Sequence, residues 1–221
     1  FADHIRTLLG ALEGKPIGGT TNRLYPDGPG LVDRFWQATF SADGGHWAGL
    51  GGHGLMLSRT QPRTADAPNA SLGDIQHPII DAYLAALPAG RPPRIMASRS
   101  LFVADSRAEA RRFAEQGLRR ALERFKKGGH ILRGDTLDDL IATFDTHVGT
   151  PEDVIASLHA DTILPRVTDL VFQVHSIDPP PALTLRSIEL TAEQVAPALG
   201  WAGPALSRHE NRTAASTSLA D

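Results

Sequence analysis

Four runs of this chain have the pattern of a β-strand that ends at a polar or glycine-rich turn and continues into a helix. They lie at residues 34–40, 54–58, 94–103 and 169–175. Strands that alternate with helices predict an α/β fold with a parallel sheet, and repetition of this unit is typical of a TIM-type (β/α)8 barrel. Such a barrel carries its functional residues at the C-terminal ends of its strands, so candidate site residues are sought there.

The number of units indicates that the chain forms about half of such a barrel. A closed barrel needs eight strand–helix units and about 250 residues, whereas four units are recognisable in these 221 residues. The chain also begins at Phe1, without Met, inside a helical pattern at residues 4–12. We therefore expect the C-terminal half of a larger enzyme, with strands five to eight and their helices over residues 1–201. Residues 202–221 show little apolar periodicity and are expected to form a disordered tail.

Composition excludes several classes of protein. With 22 basic and 25 acidic residues and a net charge of −3, the chain lacks the basic surface that nucleic acid requires. It has no cysteine, which excludes disulfides and thiolate metal sites and fits a reducing compartment. No apolar run approaches the ~20 residues of a membrane span. We expect a cytoplasmic protein without nucleic-acid or membrane partners.

Ser41, Gly44 and Gly45 follow the first predicted strand and open a helix. A hydroxyl and unobstructed backbone N–H groups at such a turn suit a phosphate group, with help from the helix dipole. The alternative is an ordinary serine N-cap followed by a glycine-containing first turn. Both interpretations remain open at the level of sequence.

Ser58, Arg59 and Gln61 lie just past the second strand, where a barrel faces its ligand. Arg59 could bind an anion, or it could form a salt bridge at the rim. Ser98 and Arg99 fall inside the third strand, so Arg99 could instead be a buried cation paired with an acid.

Gln173 and His175 close the fourth predicted strand. Alternation of side chains along a strand places both on one face and Val174 on the other. If that face is the barrel interior, both side chains point into the pocket.

Two further patterns favour structural interpretations. Residues 49–54 (GLGGHG) satisfy the dinucleotide-binding pattern G-x-G-x-x-G, but here the glycines end a helix and lead into a strand. That order is the reverse of the binding motif and favours a glycine C-cap with a tight turn. The nine histidines include no H-E-x-x-H pair, and we predict no metal site.

The chain resembles the bacterial luciferase-like flavin monooxygenases, and within them the FMN-dependent luciferase-like subgroup. The similarity spans most of residues 24–201. The resemblance lies in the order and spacing of six segments: RFWQATFS (34–41), GLMLSRTQP (54–62), PRIMASRSLFVA (93–104), VGTPEDV (148–154), FQVHSIDPP (172–180) and VAPAL (195–199).

The resemblance implies a TIM-type barrel that holds reduced FMN at the strand C-termini. The flavin would react with O₂ and oxygenate a small organic substrate. Ser41 with Gly44 and Gly45 would hold the phosphate, and Ser58 and Arg59 would lie beside the flavin ring or its ribityl chain. The residues expected in the substrate pocket are Gln61, Ser98, Gln173 and His175.

The resemblance leaves several alternatives open. Members of the family usually receive reduced flavin from a separate reductase, and a homodimer would suit them. The deazaflavin F420 could replace FMN, because the phosphate turn would look alike. A flavin-binding subunit without catalysis and a truncated product without function are further alternatives.

Overall fold

Five parallel strands form one sheet in the computed structural model, which describes residues 2–127 and 132–201. The strand order is β1-β2-β3, β4 pairs with the C-terminal part of β3, and β5 pairs with its N-terminal part. The strands are β1 Trp36–Thr39, β2 Gly54–Leu57, β3 Ile95–Val103, β4 Thr146–Gly149 and β5 Asp169–Gln173. The predicted parallel α/β architecture and all four predicted strands are confirmed.

Strand β4 is not among the four strands that the sequence predicts. Its four residues are too few to show a strand period. The spacing of Leu137, Leu140 and Ile141 predicts a helix over residues 136–145, and in the structure this helix ends earlier, at Thr143. Asp145 then adopts a positive φ of 47° and turns the chain into β4.

The helices start largely where capping residues predict. Ser71, Thr136 and Thr150 each form a capping box with an aspartate three residues later. The sequence after the fourth predicted strand predicts a helix from about residue 185 to residue 199, but the helix begins at Pro181, because proline favours the first helical position. The helices are α1 Ala2–Leu12, α2 Pro29–Val32, α3 Ala42–Leu50, α4 Leu72–Ala86, α5 Arg107–Lys127, α6 Leu137–Thr143, α7 Pro151–His159, α8 Pro181–Leu190 and α9 Ala196–Ala198, with a 3₁₀ turn at Leu164–Arg166 and a π turn at Thr191–Val195.

The glycine-rich segment at residues 49–54 connects α3 to β2, as the structural interpretation predicted. Gly51 is the C-cap of α3, and Gly52 has a φ of +64°, a conformation that glycine adopts without strain. Gly54 opens β2. The segment is a tight αβ turn.

One face of the sheet, here called the helix face, is fully packed. It carries side chains of β2 and β3 that contact apolar residues of α3, α4, α7 and α8. Members of this face are Leu55, Leu57, Ala97, Leu101 and Val103, each at most 1% exposed. Burial of this kind, at about 25 cal/mol per Å² of apolar surface, is the main force that holds the layers together.

The opposite face, here called the open face, is much less covered. Register pairs Met56 with Met96, Ser98 with Val171 and Ser100 with Gln173, and partners in parallel register share a face. Met56 is 36% exposed and Val171 45% exposed. Near the C-terminal ends of the strands, α5 and α6 cover this face through a cluster around Phe102.

Closure of the sheet into a barrel remains a prediction. Within the described ranges β1 pairs only with β2, and β5 pairs only with β3. The half-barrel interpretation therefore also stays a prediction, and the expected tail at 202–221 lies outside the described residues. No helix in the described part of the chain is long and apolar enough to cross a membrane.

Candidate functional site

A cavity of about 720 Å³ lies at the C-terminal edge of the sheet, where the turn after β2, helix α5 and the end of β5 meet. Its volume falls within the ~300–1,000 Å³ that is usual for small-molecule sites. The side chains that define it here are Arg59, Thr60, Arg124, Phe144, Gln173 and His175. Three of the predicted site residues, Arg59, Gln173 and His175, are thus brought together.

Arg59 reaches across the open face from the turn after β2. Its Nη1 donates to Ser100 Oγ at 3.1 Å, and no carboxylate of the described residues pairs with it. Burial lowers the pKa of the guanidinium, because the charged form loses hydration there. Ser58 shapes this turn, since its Oγ accepts the Thr60 N–H at 3.2 Å.

Gln173 ends β5 and His175 lies two residues later in the turn that follows, so the strand predicted to reach residue 175 ends earlier, although the two side chains are adjacent. The Gln173 side-chain amide lies 3.1 Å from His175 Nε2. Because an amide nitrogen can only donate, His175 Nε2 is the acceptor and the ring proton of the neutral form lies on Nδ1. Gln173 is half-buried and His175 is exposed at the cavity mouth.

Helix α5 contributes two arginines that the sequence interpretation did not include. Arg120 contacts Asp178 Oδ2 at 3.1 Å, whereas Arg124 has no hydrogen bond or ion pair with a described residue. A close backbone contact brings this helix to the cavity, because a Cβ at Gly117 would lie 1.7 Å from the Ile177 carbonyl oxygen. The i, i+4 spacing of the two arginines was the available signal.

The contacts of the turn at Ser41 explain its serine and glycines by helix capping and close packing. Ser41 is the N-cap of α3, and its Oγ accepts the Gly44 N–H at 3.2 Å. A Cβ would lie 1.8 Å from Thr39 Oγ1 at Gly44 and 2.4 Å from the Ile79 carbonyl oxygen at Gly45. Both glycines therefore allow α3 to pack closely, and Ser41 lies outside the lining of the cavity. The phosphate role of this turn stays a prediction.

Two other predicted pocket residues also lie outside the cavity lining. Gln61 is fully buried, and neither its side-chain oxygen nor its nitrogen has a hydrogen-bond partner among the described residues. Ser98 is half-buried on the open face, and its carbonyl oxygen accepts from Arg99 Nη1 at 2.8 Å.

Arg99 is the buried, paired cation that one of the two interpretations predicted. Its Nε contacts Asp161 Oδ2, and its Nη2 donates to Gln76 Oε1 at 3.0 Å. The Gln76 amide in turn donates to the Ser58 carbonyl oxygen at 2.8 Å. This network lies on the helix face. Through the Ser58 carbonyl it holds in place the end of β2, which leads into the Arg59 turn of the cavity.

The fold is shared with several solved structures, although no protein-family model and no curated protein matches the sequence. Apo-MsnO8 is 20% identical over 91% of this chain and 60% of that chain, with a TM-score of 0.58. The monooxygenase RslO1 from Streptomyces bottropensis is 24% identical over 82% of this chain and 52% of its own, with a TM-score of 0.53.

A third neighbour is the coenzyme F420-dependent tetrahydromethanopterin reductase from Methanopyrus kandleri. It is 15% identical over 90% of this chain and 62% of its own, with a TM-score of 0.53. The chain thus spans between 52% and 62% of the length of these three structures. At such identities the likeness establishes a common fold.

Proposed function

We propose that this chain is part of a luciferase-like flavin-dependent monooxygenase that uses reduced FMN and O₂ to oxygenate a small organic substrate. The observation that carries the proposal is the cavity at the strand C-termini, where Arg59, Gln173 and His175 converge. A fold shared with the monooxygenase RslO1 supports it. The half-barrel origin of the chain, a homodimer and a separate flavin reductase belong to the same proposal.

The residues of the cavity fit an anionic flavin. Arg59 and Arg124 offer cationic donors, and Phe144 offers an apolar wall for a ring. Ser58 and Thr60 hold the turn that carries Arg59, and Ser41 with Gly44 and Gly45 remains the proposed phosphate turn on the neighbouring strand. Reduced FMN supplies the oxygen-activating chemistry when it is bound.

The chain's own residues would bind and orient the ligand and keep water out of the cavity. Gln173 holds His175 so that Nε2 accepts its hydrogen bond, which leaves Nδ1–H as the ring proton of neutral His175. Phe144 and the α5 backbone at Gly117 narrow the cavity on the side away from the strands. Exclusion of water at this wall would protect the oxygen-activating chemistry of a bound flavin from side reactions.

The first test is a fluorescence titration of the chain with FMN and, separately, with F420. The proposal expects saturable FMN binding and weak F420 binding, and absence of saturable binding by either would contradict it. Gln173→Ala should weaken FMN binding, whereas Gln194→Ala, an exposed glutamine remote from the cavity, should not.

F420 is the second candidate cofactor, favoured by the shared fold of the F420-dependent reductase. Preferential binding of F420 in the titration would replace the monooxygenase proposal with a deazaflavin-dependent oxidoreductase. FMN binding without O₂ consumption by the reduced complex would instead indicate a non-catalytic flavin-binding subunit.

A further inference from the structure

A second cavity, here called the α1 cavity, lies at the other end of the sheet from Arg59, because its residue His53 precedes β2 whereas Arg59 follows it. Its volume is about 490 Å³. The lining includes Ile5 and Leu9 of α1, Trp47 and Leu50 of α3, and the polar residues Gln37 and His53. An apolar lining with a few polar groups that orient the ligand is usual for small-molecule sites.

The two polar residues of the α1 cavity are buried and paired with each other. Gln37 is 7% exposed and His53 8% exposed, and the Gln37 side-chain nitrogen lies 2.5 Å from His53 Nδ1. Because an amide nitrogen can only donate, Nδ1 is the acceptor and the proton of the neutral ring lies on Nε2. Burial, together with the charges of Arg94 and Arg91, lowers the pKa of His53, so the ring is neutral near pH 7.

This pair leaves one acceptor and one donor unused. Among residues 2–127 and 132–201, Gln37 Oε1 and His53 Nε2–H have no hydrogen-bond partner, and both side chains line the cavity. Packing alone would favour an apolar residue at position 37, since its register partner on β2 is the fully buried Leu55. Buried polar groups without partners are costly, so the pair indicates a ligand that completes its hydrogen bonds.

The His53 ring is held in a fixed orientation by its neighbours. Phe35 packs edge-on against it, with the ring centroids 5.0 Å apart. On another side the ring lies so close to the backbone that a Cβ at Gly51 would be 2.4 Å from His53 Cε1. The donor at Nε2 is therefore positioned in advance, which lowers the entropy cost of binding a ligand there.

We propose that the α1 cavity is a binding site for a small apolar molecule that carries one hydroxyl group. A hydroxyl group both accepts and donates, so it accepts from His53 Nε2–H and donates to Gln37 Oε1. Trp47, Leu50 and Leu9 contact the apolar body of the ligand. A ligand that cannot donate leaves Gln37 Oε1 unpaired and binds less tightly. This site is separate from the flavin cavity and does not depend on the proposed function.

The test compares menthol with its methyl ether, which has the same apolar body but cannot donate a hydrogen bond. Binding is followed by tryptophan fluorescence, because Trp47 forms part of the cavity wall. The other two tryptophans are Trp36 and Trp201, and a Trp47→Phe variant separates their signal from that of Trp47.

Two variants alter the site in different ways, and each has a matched control. Gln37→Leu removes the acceptor, and Gln194→Leu makes the same change at an exposed position outside the lining. Leu50→Asp places a carboxylate in the apolar wall at a side chain that is 54% exposed, so it leaves the core intact. Leu185→Asp is its control at a 64% exposed position on α8. Circular dichroism verifies that each variant is folded.

The expected result is saturable binding of menthol, with the ether bound about tenfold less tightly by the wild type. Gln37→Leu should remove this preference, because the variant has no acceptor for the hydroxyl proton. Leu50→Asp should weaken the binding of both ligands, and the two controls should bind them as the wild type does.

Three results would overturn the proposal. The first is the absence of saturable binding by menthol, and the second is an equal affinity of the wild type for menthol and the ether. The third concerns a second copy of the chain as the occupant of the α1 cavity. It would be a wild-type dimer in analytical ultracentrifugation that Leu50→Asp converts to a monomer and that menthol leaves intact.

Discussion

Arg99 and Arg59 lie on opposite faces of one sheet and differ in what surrounds them. On the helix face, Arg99 is fully buried against Asp161 and Gln76. On the open face, Arg59 reaches the hydroxyl of Ser100 and has no acidic partner among the described residues. The comparison indicates that one arginine holds the fold together, whereas the other is available to a ligand.

The apolar side chains of the two faces also differ, in how far they are exposed to solvent. Leu57 is 1% exposed on the helix face, and its neighbour Met56 is 36% exposed on the open face. Parallel sheets are normally covered on both faces, so the open face is the side on which ligand or further protein is expected. Stability should therefore depend on the helix face and binding on the open face.

The largest effect on stability is expected from removing the partner of Arg99. Asp161→Ala leaves a buried guanidinium without its carboxylate, which should lower the free energy of unfolding by about 3–5 kcal/mol in urea denaturation. Asp138→Ala breaks an exposed pair with Arg111 and should cost less than about 1 kcal/mol. Equal losses in the two variants would remove the distinction between a structural and a surface ion pair.

A pair of neighbouring substitutions on β2 compares the two faces directly. Leu57→Ala creates a cavity in the packed cluster and should lower the free energy of unfolding by about 2–5 kcal/mol. Met56→Ala removes a partly solvated side chain and should cost well under half as much. A Met56→Ala loss as large as that of Leu57→Ala would mean that the open face is covered, and analytical ultracentrifugation would then show whether by a second copy.

Acid should destabilise the helix face through His147. Burial lowers the pKa of this histidine to about 4, while its Nδ1 lies 2.7 Å from Ser157 Oγ. The unfolded chain takes up a proton near pH 6.5 and the folded chain does not, so stability falls as the pH drops from about 6.5 towards 4. The slope from this one group is at most about 1.4 kcal/mol per pH unit.

The measurement for His147 is urea denaturation of wild type and His147→Gln across that pH range. The difference in unfolding free energy between the two proteins should change in favour of the variant as the pH falls. A difference that is constant from pH 7 to pH 4 would show that His147 titrates alike in the folded and unfolded chains.

The smallest effect is expected for a substitution of Gln61, which should stabilise the protein, whereas the changes described above destabilise it. Leucine there removes two buried polar atoms that lack partners, so Gln61→Leu should raise the free energy of unfolding by about 1 kcal/mol. Gln76→Leu should lower it, because the Gln76 amide bonds both Arg99 and the Ser58 carbonyl. If Gln61 contacts the substrate, as the resemblance implies, Gln61→Leu should also weaken substrate binding.

Local sequence signals predicted the features that depend on neighbours along the chain. The short apolar run at residues 54–58 predicted β2, and the glycines at residues 49–54 predicted the tight turn before it. Strand β4 was not predicted, because four residues are too few to show the alternation of a strand. Four of the five strands and the parallel α/β class were thus accessible from sequence.

Features that depend on tertiary packing were not accessible. Arg124 reaches the cavity because Gly117 lets α5 approach the Ile177 carbonyl, a contact between segments 60 residues apart that no local pattern encodes. Gly45 belongs to the predicted phosphate turn, but its close approach to the Ile79 carbonyl of α4 is a second reason for glycine there that no local pattern indicates. The position of Gln61 inside the protein, without partners for its amide, likewise follows from the fold of the whole loop after β2.

The most direct test of the contrast between the faces is amide hydrogen exchange with and without saturating FMN. The account predicts slower exchange at residues 59–60, 117–125 and 173–176, which include residues that line the cavity, and little change at residues 79–86 and 154–158 on the helix face. Protection confined to the helix face, or no protection anywhere at saturating FMN, would contradict it.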